Sequence, residues 1–193
     1  MKKDAALSRN IICTKWGTKF GAEDVNRLFR MVQRNLDGVA GKDYRFVCFT
    51  DDASGLAAGI EHFDLPPVPV VGDRLNRGWK KLGVLANPLA DLQGQALYLD
   101  LDVVIVDSLE PFFELPGKFF VIKDYKPVRY RHGFTGNTSV FRFEVGAHAE
   151  LLNEVERLGE QVLSDFRNEQ EVISHYIHAL GEDVLAMEVD GPL

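Results

Sequence analysis

The middle of the chain reads Leu97-Tyr98-Leu99-Asp100-Leu101-Asp102-Val103-Val104-Ile105-Val106-Asp107. An apolar run that ends in two carboxylates one residue apart indicates a buried strand whose end emerges at a site, because the interior of a parallel strand does not tolerate unpaired charge. Side chains two residues apart on a strand share a face, which spaces Asp100 and Asp102 roughly 6.5–7 Å apart. The two carboxylates can serve one centre only if the strand bends there.

Two ionised carboxylates on one face repel each other, and a shared proton or a bound cation relieves the repulsion. A hard divalent ion, Mg²⁺ or Mn²⁺, takes carboxylate oxygens and keeps positions open for water or a substrate phosphate. We therefore predict a site for a metal ion and a diphosphate at Asp100 and Asp102. The alternative is a solvated strand end with a turn-forming aspartate.

Composition limits the class of protein. A chain of 193 residues suits a single domain over residues 1–193. A formal net charge of −7 argues against binding nucleic acid through a general electrostatic field. No run is long enough for an integral membrane segment and the N-terminus lacks the apolar core of a signal peptide, so we expect a cytoplasmic protein. Cys13 and Cys48 fall in predicted strands and are interpreted as reduced core residues, with a disulfide between neighbouring strands as the alternative.

The N-terminal part of the chain begins a βαβ unit. A short strand over residues 10–14 is followed by a glycine-containing loop and by an amphipathic helix from Ala22 to about Leu36. Ligands of such units bind at the carboxyl ends of the strands. Thr14, Lys15 and Trp16 are therefore candidates for a nucleotide-binding edge; the alternative is a solvated lysine and a packed tryptophan.

Further strands and helices alternate along the chain and predict an α/β fold. The predicted strands cover residues 44–50, 60–65, 119–122, 137–143 and 185–189. The predicted helices cover residues 78–86, 151–162 and 168–180, with a short helix or turn over residues 107–114.

Positive charge is concentrated just before the acidic strand. Arg74, Arg77, Lys80 and Lys81 come before or within the helix over residues 78–86. Cations that face a carboxylate pair would suit a diphosphate lying between them. A solvated helix face is the alternative explanation.

Four features in order resemble the metal-dependent glycosyltransferases of the GT-A fold, most closely the family-8-like branch. They are the N-terminal strand with its aromatic loop, Trp79-Lys80-Lys81-Leu82, the acidic strand with its DxD motif, and Asn137-Thr138-Ser139-Val140 followed by Glu169-Gln170. The resemblance covers nearly the whole chain. It implies the Rossmann-like fold of nucleotide-diphospho-sugar transferases, with a mixed, mostly parallel sheet flanked by helices.

The resemblance also implies an activity. Asp100 and Asp102 would hold Mn²⁺ or Mg²⁺ against the diphosphate of a nucleotide-sugar donor, a UDP-sugar in the first place. A transferase of the hexosyltransferase type would then move the sugar to a glycan or other acceptor, as in polysaccharide or glycan assembly. The donor-binding residues implied are Thr14, Lys15, Trp16, Lys80, Lys81, Asp100, Asn137 and Ser139, and the catalytic positions are Glu169 and Gln170, lining the donor sugar and acceptor.

The sequence departs from the family pattern in two places. Family-8-like enzymes usually supply a histidine as a third metal ligand from a C-terminal segment, and the sequence ends at Asp190-Gly191-Pro192-Leu193 without a counterpart. We therefore expect that the chain lacks a C-terminal segment or binds its donor incompletely. In addition, Glu169 replaces the more usual aspartate.

Two other classes of protein remain as the main alternatives, besides a metal-dependent nucleotidyltransferase, against which the absence of a glycine-rich N-terminal phosphate loop counts. One is a nucleotide-sugar-binding domain that keeps the metal pair without turnover. The other is a phosphohydrolase of the haloacid dehalogenase type, whose DxD motif belongs on the first strand, whereas about half of this chain precedes Asp100.

Overall fold

The fold is built on one six-stranded sheet with the order β3-β2-β1-β4-β6-β5. A computed structural model describes residues 8–36, 44–69, 72, 78–123 and 136–179. The strands are β1 (Arg9–Lys15), β2 (Tyr44–Thr50), β3 (Glu61–Phe63), β4 (Gln95–Leu99), β5 (Phe119–Lys123) and β6 (Gly136–Glu144).

The sheet is mixed and mostly parallel, as predicted. β3, β2, β1 and β4 pair in parallel, with Ile12 opposite Tyr98 and Cys13 opposite Cys48. β6 pairs antiparallel with β4 and with β5. Parallel neighbours need a crossover connection, and the helix after β1 supplies the first one.

Helices cover both faces of the sheet. They are α1 (Ala22–Leu36), a 3₁₀ helix (Trp79–Leu85), α2 (Glu110–Glu114), α3 (Glu150–Leu158), α4 (Gln161–Asp165) and α5 (Glu169–Ala179). The prediction for α1 is confirmed, because Val25, Leu28 and Val32 recur at helical spacing and are fully buried.

The alternation of side chains along β1 divides the core in two. Ile12 packs with Trp79 on the face covered by the 3₁₀ helix, α3, α4 and α5. Ile11 and Cys13 pack on the opposite face, against α1 and α2. Cys13 and Cys48 are both buried free thiols, so the interpretation as reduced core residues is confirmed and the disulfide is not formed. A hydrogen bond with Cys48, followed by burial, raises the pKa of the Cys13 thiol.

The prediction of one helix over residues 151–162 is wrong. α3 ends at Leu158, and Gly159, with φ +55°, separates it from α4. A left-handed glycine at the end of a helix redirects the chain at little steric cost. The periodic apolar pattern continues across the break because both helices contribute to the same core cluster.

The acidic stretch does not continue as a strand. β4 ends at Leu99, and the N–H of Val103 donates to the carbonyl of Asp100 at 3.3 Å, which closes a turn. Asp100 and Asp102 therefore follow the strand instead of sharing one of its faces. This turn is the bend that two carboxylates need to serve a single centre.

Some predictions lie outside the described residues, namely the strand over residues 185–189 and the positions of Arg74 and Arg77. Within the described part of the chain, no helix has the length and apolar character needed to cross a membrane.

Candidate active site

A pocket of about 320 Å³ opens at the carboxyl ends of β1 and β4. Strand order reverses here, because β1 has β2 on one side and β4 on the other. Ligands of open α/β sheets bind at such switch points. The pocket is lined by Thr14, Trp16, Lys19, Phe20, Gly78, Lys81, Tyr98, Asp100, Leu101, Asp102 and Glu169.

Lys81 and Asp100 form the central ion pair of the pocket. The Nζ atom of Lys81 lies 2.8 Å from Oδ1 and 2.9 Å from Oδ2 of Asp100. The same ammonium donates to the carbonyl of Thr138 at 3.1 Å. The lysine side chain is 6% exposed and that of Asp100 is 24% exposed. The lysine therefore fixes the orientation of the first carboxylate of the DxD motif.

Glu169 is the second carboxylate beside Lys81. It begins α5, and its Oε1 lies 3.5 Å from the lysine Nζ. Burial raises the pKa of Glu169, an effect that the nearby ammonium of Lys81 opposes. Lys81 thus lies between two carboxylates that come from different parts of the chain.

Gly78 permits this close packing. Its φ is +106°, and a Cβ at this position would lie 2.8 Å from Oε2 of Glu169. The backbone conformation therefore favours glycine, and any larger residue would in addition have to displace the Glu169 carboxylate.

Tyr98 connects β1 to the acidic turn. Its hydroxyl donates to Oδ1 of Asp100 at 3.1 Å and shares a hydrogen bond with Oγ1 of Thr14 at 2.7 Å. Burial, and then the charge of Asp100, raise the pKa of Tyr98 well above its usual value. The Nζ atom of Lys81 lies 5.1 Å from the centre of the tyrosine ring. The phenol is thus a neutral hydrogen-bond donor that helps to orient the Asp100 carboxylate.

Asp100 and Asp102 are the residues of this pocket that could hold a divalent cation. Asp100 and Asp102 line the same pocket, and Asp102 is exposed. Carboxylate oxygens are preferred ligands of Mg²⁺ and Mn²⁺, which complete their coordination with water and substrate phosphate. Among the described residues there is no cluster of three or more His, Cys, Asp or Glu side chains that could enclose a metal ion.

Two aromatic side chains, Trp16 and Phe20, line the same pocket and form its aromatic wall. Trp16 and Phe20 come from the loop after β1, and the ammonium of Lys19 lies 4.6 Å from the centre of the Phe20 ring. The loop is held by Asp51, whose carboxylate accepts the N–H of Gly17 at 2.9 Å. Aromatic faces of this kind can stack with a planar base.

Five of the predicted site residues do not line this pocket: Lys15, Lys80, Asn137, Ser139 and Gln170. Lys15 alternates with Thr14 along β1, so its side chain lies on the opposite face of the sheet. It is buried there, with its Nζ 3.9 Å from Asp51.

Three of those five residues hold the acidic turn in place. The carbonyl of Ser139 accepts the N–H of Asp100 at 2.9 Å, and Oδ1 of Asn137 accepts the N–H of Ser139 at 2.9 Å. Oε1 of Gln170 accepts the N–H of Thr138 at 3.2 Å. Thr138 in turn accepts from Lys81, so the start of β6 and the start of α5 support the lysine and the DxD motif together.

Sequence reasoning did not assign Lys19, Phe20, Gly78, Tyr98 and Leu101 to the site. Tyr98 precedes Asp100 by two residues, and this spacing was a usable signal for a shared face. Lys19 and Phe20 belong to the loop that contains Trp16, so their proximity to it was also visible in the sequence. No local signal marks Gly78, because its neighbour Glu169 is ninety-one positions away.

No protein-family model matches the chain, and no curated protein matches it. Solved structures do match. The galactosyltransferase LgtC in complex with donor and acceptor sugar analogues has 15% identity and a TM-score of 0.56, over 90% of this chain and 70% of that one. The glycosyltransferase GlyE of Streptococcus pneumoniae TIGR4 has 13% identity and a TM-score of 0.56, over 86% of this chain and 43% of that one.

The bifunctional glycosyltransferase WbbM also matches, with 12% identity and a TM-score of 0.57, over 81% of this chain and 36% of that one. The chain thus corresponds to less than half the length of GlyE and of WbbM. These similarities show that it has the GT-A fold, which confirms the predicted fold class.

Proposed function

We propose that the chain is a metal-dependent glycosyltransferase that moves a sugar from a nucleotide-sugar donor, with UDP as the nucleotide, to a glycan or other acceptor. One observation carries the proposal: the two carboxylates Asp100 and Asp102 share a pocket with the aromatic wall of Trp16 and Phe20, at the switch point of a GT-A sheet. LgtC, which has the same fold, was solved with donor and acceptor sugar analogues, which supports a two-substrate reaction.

Different residues of the pocket contact different parts of the donor. Trp16 and Phe20 stack with the base, and the exposed Lys19 meets phosphate charge. Asp100 and Asp102 would hold Mn²⁺ or Mg²⁺, which supplies Lewis-acid stabilisation of the leaving nucleoside diphosphate. Lys81 keeps the Asp100 carboxylate aimed into the pocket through its two short contacts.

We assign the sugar end of the pocket to Glu169 and Gly78, which both line it. Because its carboxylate already contacts Lys81, Glu169 acts on the reaction by setting charge beside the lysine and by bounding the space for the sugar. Gln170 acts indirectly. Its Oε1 accepts the N–H of Thr138, whose carbonyl in turn accepts a hydrogen bond from Lys81.

Calorimetric titration of UDP into the purified chain, with and without Mn²⁺, tests the donor site. We expect binding that requires Mn²⁺ and is lost in Asp102→Asn, because that variant removes one of the two metal-binding carboxylates. The control is Asp107→Asn, which changes another exposed carboxylate outside the pocket and should bind like the parent. Undiminished Mn²⁺-dependent binding by Asp102→Asn would contradict the proposed metal site.

A second candidate is a nucleotide-sugar-binding domain without turnover. The observation that favours it is the engagement of both Asp100 oxygens by Lys81, which leaves fewer lone pairs of this carboxylate for a metal ion. Incubation with UDP-sugars and Mn²⁺ separates the two candidates: release of UDP, by transfer or hydrolysis, identifies an enzyme, and binding without release identifies a binding domain.

The phosphohydrolase alternative loses its support. Asp100 follows β4, the fourth strand of the described residues, and the fold is that of GT-A proteins. We expect no release of phosphate from aryl phosphates.

A further inference from the structure

A cavity of about 600 Å³ lies away from the DxD motif, between α3, α4 and α5. Leu151 and Val155 of α3 form one side, and Phe166 and Val172 form the other. These four side chains are at most 6% exposed, so the apolar part of the cavity belongs to the core. The other lining residues are partly or fully exposed, among them Glu150, Glu154 and His175.

Three carboxylate side chains also line the cavity, beside its apolar residues. Glu150 and Glu154 of α3 and Asp165 of α4 line the cavity. Glu154 is paired with Arg157. Glu150 accepts only a long hydrogen bond, 3.4 Å, from the hydroxyl of Tyr176, and neither Glu150 nor Asp165 has a cationic partner in the described part of the chain.

The size of the cavity and the charge around it indicate the size and charge of the ligand that it would bind. Small-molecule pockets have volumes of roughly 300–1,000 Å³ and apolar walls with a few polar groups that fix orientation. A stable protein partner would need about 20–30 residues on each side, far more than line this cavity. Carboxylates without a cation favour a positively charged head group over a neutral or an anionic one.

We propose that the cavity between α3, α4 and α5 binds a small amphiphilic amine: an aliphatic or aromatic body enters the apolar interior, and a protonated amine lies between Glu150 and Asp165. This site is separate from the proposed donor pocket. The two share only α5, which contributes Glu169 to the pocket and Val172, His175, Tyr176 and Ala179 to the cavity.

The test uses three probes with one eight-carbon body: octylamine, 1-octanol and octanoate, titrated at pH 7 into the ¹⁵N-labelled full chain. We expect saturable changes in the amide signals of α3, α4 and α5 with octylamine. Octanol should bind more weakly and octanoate at least about tenfold more weakly than octylamine, because the head group alone distinguishes them.

Variants separate the contributions of charge and volume. Glu150→Gln combined with Asp165→Asn should bring octylamine down to the affinity of octanol. Glu156→Gln is the matched control, since Glu156 is an exposed carboxylate of α3 outside the cavity, and it should change nothing. Ala179→Phe, at an exposed position that lines the cavity, should block all three probes without disturbing the core.

Three results would overturn the proposal. They are equal binding of octanoate and octylamine, binding of octylamine that survives the double substitution, and absence of saturable shifts at the solubility limit of all three probes. None of these results depends on whether UDP binds, so the amine site and the donor site are tested independently.

Discussion

At the scale of single residues, Lys81 has the greatest influence on the site. It is a buried cation that contacts both oxygens of Asp100, the carbonyl of Thr138 and the carboxylate of Glu169. Removing one member of a buried charged group is costly because the remaining charges stay desolvated without a partner. The lysine therefore contributes to folding as well as to the geometry of the DxD motif.

Lys81→Met should lower the free energy of unfolding by about 3 kcal/mol, since it leaves two carboxylates facing each other without a cation. Urea denaturation followed by circular dichroism measures this change. Lys80→Met is the control. Lys80 is half-buried, has no part in the pocket, and its substitution should change the free energy by less than about 0.5 kcal/mol. Equal effects of the two substitutions would contradict the central role of Lys81.

At the scale of elements, the 3₁₀ helix and α5 meet at Gly78 and Glu169. The chain enters the 3₁₀ helix through Gly78 in a conformation with positive φ, and the carboxylate of Glu169 occupies the space that a side chain would need. This contact sets the distance between Lys81 and the start of α5.

Gly78→Ala should cost at least about 1 kcal/mol more than Gly17→Ala, because inserting a methyl group into a filled space adds to the backbone penalty. Gly17 also has a positive φ, +60°, but no atom lies within 4 Å of its added Cβ. The difference should shrink when both substitutions are made in a Glu169→Ala background, which empties that space. Thermal denaturation of the four variants gives the comparison, and a difference that persists in Glu169→Ala would assign the cost to the backbone alone.

Arg142 joins β6 to α2 and to the segment between α2 and β5. Its guanidinium donates to the carbonyls of Phe112, Leu115 and Gly117 at 2.6–3.1 Å, and the residue is fully buried. Burial lowers the pKa of this arginine, yet it stays charged because guanidinium titrates far above neutral pH. A buried arginine that satisfies three backbone carbonyls is a structural device that fixes the edge of the sheet.

Arg142→Met should lower the free energy of unfolding by roughly 3 kcal/mol, because charge-assisted hydrogen bonds are lost and carbonyls are left without donors. Arg142→Lys should recover part of this loss, since an ammonium reaches fewer of the three carbonyls. The exposed Arg157→Met should be nearly neutral, as its side chain is 67% exposed in a surface ion pair. Chemical denaturation of all three variants measures the ranking, and a neutral Arg142→Met would exclude the structural role.

At the scale of the whole molecule, backbone hydrogen bonding is most complete in the central strands of the sheet. It is least complete in the segment that follows the acidic turn. β1 is paired on both sides, with β2 and β4. After the acidic turn, the backbone N–H groups of residues 104–106 make no hydrogen bond to any other part of the described chain, and Val104 and Val106 are 73% and 88% exposed.

Amide hydrogen exchange should therefore be slowest in β1 and β4 and fastest at residues 104–106, because exchange follows local opening. Mass spectrometry of pepsin fragments, or NMR, measures the exchange rates of the strand amides and of residues 104–106 in one experiment. Strong protection at residues 104–106 in the isolated chain would show that this segment is paired, contrary to the described structure.

The sequence by itself determined the elements and most of their order. The helical spacing of Val25, Leu28 and Val32 is a local property, so α1 was predicted with its observed bounds. The apolar run ahead of Asp100 likewise identified a central strand, and the ordered motifs identified the GT-A fold. The break between α3 and α4 depends on the backbone conformation of one residue, Gly159. The sequence did not predict it, because the apolar periodicity continues through this position.

The tertiary structure decided which of the candidate residues share the pocket. Lys80 and Lys81 are equivalent in sequence, and only the packing of the 3₁₀ helix against β4, β6 and α5 brings Lys81, and not Lys80, to Asp100. Thr14 and Lys15 are also neighbours in sequence, but the pleat of β1 places their side chains on opposite faces of the sheet, and only Thr14 lines the pocket. Local pattern specifies elements because propensity and periodicity act over a few residues, whereas a site joins ends of elements, and those meet only once the whole sheet has formed.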